Sequence, residues 1–410
     1  MTVQARMPYL ARLLRRNHLR HFHSDAPAPL TNDDVLTNIL FCIGMITLPL
    51  QVVQIGIAQP SHVWMLATAA IGLMLGKIRL TGREGAVFAL FIIVLLLATF
   101  LQNFGRVKAT EQIIKFAVIY PGFYCVGRWF GRSYSGRNLP LGYLFLFAML
   151  AVQYVIQLYE IPYLYQELDF GRGALHGSFK ERNWLAVYFV LFTYILFLRT
   201  RSTPAFLILI ALNGAASLLS GSKTALIACG AIFLMHGRTF LPIKLILFAA
   251  AAAFYWWNFA AEFSADNMQI RLEAERGLAF QYAADLLKGN ILGYGVGFVE
   301  YHFTYVAGYV MGLGPGTNAI FCTPLDLMII AGVAGLFVWL MFFLGIGLGA
   351  TGVLFPIALL SLFNPMHGSE TVYLFTGMLI SIARSEVFKK QSLALHVISA
   401  EPRMGVPRPG

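Results

Sequence analysis

Residues 86–104 read AVFALFIIVLLLATFLQNF, nineteen residues without one charge. A helix rises 1.5 Å per residue, so a run of about 20 apolar residues is what a hydrocarbon layer of roughly 30 Å requires. Outward from this run the pattern repeats, near 36–58, 62–77, 112–130, 139–159, 183–198, 204–220, 223–236, 241–260, 319–348, 352–363 and 370–384. Of the 410 residues 58% are hydrophobic and 12% are charged, where a soluble domain carries about a quarter charged. The expectation is an all-α fold: a polytopic transmembrane helix bundle of about 12 transmembrane helices.

Charge tests the threading, because basic loops stay on the cytoplasmic side. Alternate crossing puts Lys77, Arg79 and Arg83 inside, then Arg128, Arg132 and Arg137, then Arg199 and Arg201, then Arg238 and Lys244. With both tails, about 20 of the 30 basic residues fall inside. The organisation expected is a basic cytoplasmic tail over 1–35, one transmembrane domain over 36–384 and a second cytoplasmic tail over 385–410. Arg6, Arg12, Arg15, Arg16 and Arg20 lie in a long polar lead with no convincing small-residue cleavage site after the first apolar run, which reads as a tail and not a signal peptide.

Several classes drop out. The net charge of +11 is spread over short loops and not gathered on an aromatic-laced patch, so nucleic acid is not expected as a partner. Cys42, Cys125, Cys229 and Cys322 show no CxxC or Cys/His spacing, so neither a disulfide nor a metal site is expected, and no cofactor. Gly221-Ser222-Lys223-Thr224 lacks the glycine directly before lysine and the preceding strand that a phosphate-binding loop needs. No fixed-period repeat or inverted pair of broken helices is visible.

Two long outside segments remain, about 160–182 and 260–318, and long loops in compact proteins usually carry function. From Asn267 to Lys288 apolar residues recur at helical spacing, which predicts an amphipathic helix along the outer membrane surface. Gly293-Tyr-Gly295-Val-Gly297 follows, and no strand precedes it, which sets a dinucleotide site aside. The outside face holds Arg106, Lys108, Arg172, Lys180, Arg182, Lys223, Arg271, Arg276 and Lys288. Guanidinium forks suit phosphate oxygens, so such a cluster fits a lipid-linked phosphate or pyrophosphate. For single members, a solvated charge or an ion pair with Glu181, Glu273 or Glu275 is the plainer account.

These residues carry a resemblance. Gly177-Ser-Phe-Lys180-Glu-Arg182-Asn183-Trp-Leu-Ala186 before a membrane helix, and Leu219-Ser220-Gly-Ser222-Lys223-Thr224-Ala225, resemble segments of the O-antigen ligase and polysaccharide polymerase superfamily. Arg276 followed by the Gly293–Phe298 turn, then Gly316-Thr317-Asn318 and Gly332-Val-Ala-Gly335, is similar to that superfamily's large periplasmic loop and its return to the membrane. The match covers roughly residues 175 to 340, with Lys223 where arginine is common and Thr317 where ligases usually show histidine.

The resemblance implies a metal-independent glycosyltransferase that moves a growing glycan from undecaprenyl pyrophosphate onto a lipid-linked oligosaccharide repeat unit at the periplasmic face. Partners would be that lipid-linked oligosaccharide, membrane lipid and other polysaccharide export and chain-length proteins. Arg276 would be the first catalytic residue, stabilising the leaving pyrophosphate, with Arg172, Lys180, Arg182, Asn183, Lys223, Arg271 and Asn318 holding pyrophosphate or glycan. His302, Glu300 and His176 are open alternatives for the base that takes the acceptor proton. Asp326, charged inside an apolar run, is a secondary candidate. Lys115 reads as a snorkelling side chain. Competing readings are an O-antigen ligase-like transferase, a transporter or flippase with its charges deep in the bundle, and a non-catalytic scaffold for glycan enzymes.

Overall fold

The computed structural model describes residues 32–53, 58–103, 107–133, 139–159, 175–179, 182–199, 203–235, 241–259, 275–305, 319–320, 322–347 and 351–384. Among them the fold is all-helical, with no β-strand. In chain order the helices are α1 (Asn32–Thr47), α2 (Pro60–Met74), α3 (Gly82–Asn103), α4 (Val107–Ile114), α5 (Tyr120–Ser133), α6 (Leu139–Leu158), α7 (Arg182–Arg199), α8 (Thr203–Leu219), α9 (Lys223–Met235) and α10 (Leu241–Phe259). Then come α11 (Glu275–Gly289), α12 (Phe298–Tyr305), α13 (Thr323–Gly347), α14 (Thr351–Ser361) and α15, residues 370–384.

Each apolar run thus forms a helix, but lengths differ from expectation. Two helices, over Gly82–Gln102 and Thr323–Ile346, are long and apolar enough to cross a membrane by themselves. Others are shorter: the 11 residues of α14 give about 16 Å, half a hydrocarbon layer. The first run, expected over 36–58, stops as α1 at Thr47, because Pro49 lacks the N–H that would continue the ladder and its carbonyl instead accepts from Ser178 Oγ at 2.8 Å.

α7 and α15 are buried nearly all round, Leu185–Leu198 and Val372–Ile382 being closed off from solvent, and they form the centre of the bundle. Around them α1, α2, α3, α6, α8 and α13 turn large apolar side chains outward, Val63, Ile93, Phe100 and Val333 among them. Soluble monomers seldom expose apolar surface on that scale.

Glycines let α5 and α15 touch backbone to backbone. A Cβ on Gly127 or Gly131 would run into the carbonyls of Leu374 or Met378, and one on Gly377 into that of Tyr124. Spacing of small residues by four is the packing expected between helices in lipid. Close approach here also brings Arg128 of α5 and Arg384 of α15 onto Glu84, which is fully buried. Thr81 and Glu84 form a capping box at the start of α3: Thr81 N donates to Glu84 Oε2 at 2.9 Å and Glu84 N to Thr81 Oγ1 at 3.3 Å.

α13 is broken in its middle. Ala331 (φ −139°) and Gly332 (φ 59°) leave the helix, releasing the carbonyls of Ile329 and Ile330. The Gly293–Gly297 turn fills the gap: Tyr294 N donates to Ile329 O at 2.7 Å, Gly295 N to Ile330 O at 2.8 Å, and Val296 N to Thr99 Oγ1 of α3 at 2.9 Å. All three turn glycines have positive φ, and a Cβ on Gly332 would sit 2.2 Å from Ile291 O. Only glycine on both sides permits this insertion.

The amphipathic stretch is helical over Glu275–Gly289; the rest of it lies outside the described residues. Ala279 and Ala283 are wholly buried against Val299, Phe303, Ile320 and Ile329, so one side of α11 is covered by protein while Phe280 and Lys288 stay outside. A small-residue face lets α11 dock on α13 directly.

Candidate functional site

A polar cavity of about 170 Å³ lies at the end of the bundle where these turns meet. One water needs roughly 10–15 Å³ by a comparable measure, so there is room for a ligand group. Its wall takes Gln51 from the bend after α1, Gln112 from α4, Trp184 from the start of α7, Val296 and Gly297 from the glycine turn, Asp326 from α13, and His367 to Glu370 from the connector between α14 and α15.

Between α4 and α5 the helix widens to a π-helical turn, Lys115–Ile119. Such bulges recur at functional sites because the extra residue re-aims side chains. Here Lys115 and Phe116 reach the cavity, and Lys115 Nζ donates to Glu111 at 2.9 Å. Lys115 therefore has a carboxylate partner one turn earlier and does not depend on snorkelling alone.

The connector 364–369 is held through its backbone. Thr323 Oγ1 donates to Asn364 O at 2.9 Å and accepts from Met366 N at 2.7 Å; Tyr373 OH donates to His367 O and Tyr120 OH to Gly368 O, both at 3.1 Å. Tyr120 and Tyr373 stack with centroids 4.8 Å apart, and the His367 ring lies parallel to Phe116 at 6.1 Å. His367 is thereby fixed in orientation, and burial pushes its pKa down to about 4, leaving a neutral imidazole.

Glu370 and His62 make the cavity's second acid–base pair. Gln59 N donates to His62 Nδ1 at 3.3 Å, so Nδ1 is the acceptor and Nε2 carries the proton that is donated to Glu370 Oε1 at 3.0 Å. Asp326, 1% exposed, accepts from Ile320 N through Oδ1. Its Oδ2 faces His367 Nδ1 at 4.0 Å, beyond hydrogen-bond reach. Neither atom, nor Ser369 Oγ beside them, has a hydrogen-bond partner among the described residues. No group of three or more His, Cys, Asp or Glu among the described residues could hold a metal ion.

The residues expected from sequence fall in three places. Arg172, Lys180, Arg271 and Asn318 lie outside the described residues. Arg182 opens α7 and Arg276 the first turn of α11, with their side chains outside that set as well. Asn183, half-buried, directly precedes Trp184 of the wall, and Lys223, half-buried, opens α9.

Glu300 and His302 stand on α12, one and three residues past the wall residue Val299, and do not line the cavity themselves. His302 Nε2 meets Tyr282 OH, and its ring stacks on Phe298 at 4.9 Å. Burial lowers the His302 pKa and raises that of the Tyr282 phenol. His176 also lies off the cavity wall, and burial lowers its pKa too. Its N–H donates to Gln157 Oε1 at 2.6 Å, and Ser178 N to Gln153 Oε1 at 2.6 Å, which pins the segment 175–179 to α6. Gly177 (φ 56°) has no space for a Cβ beside Gln153.

Sequence reading passed over His62, His367 and Glu370. The last two sit in a polar connector of a few residues between two apolar runs, too short for an ordinary hydrated loop, and that shortness was the available signal. No family model matches the chain, and no curated protein matches it.

Proposed function

We propose that this chain is a multi-pass enzyme of the bacterial inner membrane, both termini cytoplasmic, that polymerises glycans at the periplasmic face. It would transfer a growing glycan from undecaprenyl pyrophosphate to a lipid-linked repeat unit. The observation that carries the reading is one cavity walled by residues in or next to both long segments, Trp184 just after 160–182, Val296 and Gly297 within 260–318 and Ala319 just after it, with Asp326, His367 and Glu370 also in the wall.

A glycosyl pyrophosphate is already activated. The protein has to place a hydroxyl behind the anomeric carbon, take its proton and stabilise charge on the leaving group. In this reading Arg276, with Arg172, Lys180, Arg182 and Arg271, serves the pyrophosphate, and the cavity serves the acceptor. The outward apolar side chains and the basic residues gathered at one side of the threading support a membrane setting of about 12 spans.

A second reading, a transporter of lipid-linked glycan or another anion, draws on the buried Asp326 and His367 and on the break in α13, since ionisable residues and interrupted helices mark solute paths. The separating experiment follows glycan length and sidedness on lipid carriers in cells lacking the protein, complemented with wild type or Arg276→Ala at equal membrane level. Single repeat units accumulating at the periplasmic face in both null and variant are the expected result. Polymers that persist on the lipid without reaching their final acceptor would make the protein a ligase, and units held on the cytoplasmic leaflet would make it a transporter.

A further inference from the structure

We infer that the Asp326–His367 pair is the proton acceptor for the attacking hydroxyl, in place of His302, Glu300 and His176, none of which lines the cavity, and of Glu370. The inference rests on the polymerase reading above and specifies the part of it that sequence left open.

Buried polar atoms in folded proteins nearly always find partners, and each exception requires a reason. Asp326 Oδ2, His367 Nδ1 and Ser369 Oγ are three such exceptions on one cavity wall, all on residues less than 5% exposed. The two facing atoms are 4.0 Å apart, too far to bond each other. A hydroxyl oxygen at about 2.8 Å from each fits the gap as the apex of a triangle. It is the right chemistry as well: a hydroxyl has one proton to donate and lone pairs to receive one.

The rival bases are already engaged. Glu370 Oε1 holds the His62 Nε2 proton, and the His302 ring is stacked on Phe298 with Nε2 against Tyr282 OH. Asp326 Oδ1 is held by Ile320 N–H and the His367 ring by its stack on Phe116. On these two cavity-lining residues Oδ2 and Nδ1 are left unpartnered among the described residues.

In the step that follows, the hydroxyl oxygen bonds the anomeric carbon. The bond from that carbon to the pyrophosphate oxygen breaks, its electron pair leaving with the pyrophosphate. The hydroxyl proton passes to Asp326 Oδ2, while His367 Nδ1–H holds the same oxygen on its other side. Trp184 offers an aromatic face to a sugar ring, and Ser369 Oγ and Gln51 offer bonds to its other hydroxyls.

The test uses the full chain in liposomes with purified lipid-linked repeat unit, reading polymer formed per minute and repeat unit bound. Asp326→Asn and His367→Gln are each expected to lose about 100-fold in polymerisation while still binding the repeat unit, and the double variant to lose no more than either single one, because the two act as a unit. Wild-type polymerisation in either single variant would overturn the inference and leave the polymerase reading intact, as would a double variant whose loss is the product of the single losses. If Asp326→Asn elutes aggregated, Asp326→Glu replaces it, and partial recovery of rate is required of it. A wild-type protein that binds repeat unit but forms no polymer would overturn the polymerase reading, and this inference with it.

Discussion

The molecule buries two carboxylates in opposite ways. Glu84, at the start of α3, is bonded by Thr81 N at 2.9 Å, Tyr124 OH at 2.7 Å and Arg384 Nη1 at 2.9 Å, with Arg128 Nε at 3.4 Å. Asp326, near the start of α13, has one backbone donor on Oδ1 and no partner on Oδ2 among the described residues. Both are closed off from solvent to within 1%. A saturated buried carboxylate ties helices together, since its charge is compensated inside the fold. An unsaturated one beside a cavity is, on the proposed function, completed by substrate, and the difference would then separate a structural end of this bundle from a working end.

The largest expected effect tests the first half of that contrast. Glu84→Gln leaves Arg128 and Arg384 without a counter-charge in a buried place, and should cost about 3–5 kcal/mol of stability. Asp326→Asn keeps its single backbone bond and should cost less than about 1 kcal/mol. Unfolding in detergent, followed by tryptophan fluorescence, measures both; equal losses would erase the distinction.

A smaller effect compares glycines at the same two ends. Gly332→Ala forces a Cβ against Ile291 O at positive φ and should destabilise by about 1–3 kcal/mol. If the proposed function holds, it should also slow polymerisation, because the glycine turn that walls the cavity is displaced. Gly82, close to Glu84, has open space around it, so Gly82→Ala should be neutral or slightly stabilising. Melting temperatures of the two variants check this.

A further effect is a pH dependence. His367 has its pKa lowered by burial from 6.5 to about 4, so between those values the unfolded chain binds a proton that the folded one does not. Stability therefore declines as pH falls from about 6.5 toward about 4, and is unaffected by this group above that window. His367→Gln should flatten the slope by one proton, read from melts across the window; an unchanged slope would mean that His367 is hydrated in the folded protein.

Helices were largely legible because an apolar run has only one way to satisfy its backbone away from water. Their ends were less so. Pro49 could be read as a stop, but α1 ends at Thr47 partly because Ser178, far along the chain, holds the carbonyl of Pro49. Asp326 stood out as a charge in an apolar run, and Lys115 likewise, whereas His62 and Glu370 gain meaning only from a contact between residues 308 positions apart. Glu84 sits in sequence at the end of a short basic loop, with nothing there to announce the two arginines that converge on it. Gly332 read as part of a return to the membrane, with no hint that the helix breaks there, because a glycine inside an apolar run has the same signature in a straight helix.

The break in α13 has a consequence for how the bundle comes apart. Its exposed carbonyls at Ile329 and Ile330 are matched only by a turn thirty-five positions earlier in the chain, so the middle of this helix is a non-local structure. Withdrawal of the turn would strand two carbonyls and two amides at once in an apolar interior, each costing about 1–3 kcal/mol. The turn and the helix centre should therefore open as one cooperative unit, with the amides of Tyr294 and Gly295 exchanging their hydrogens at a common rate, slower than those in the exposed turn at Ile291 and Leu292.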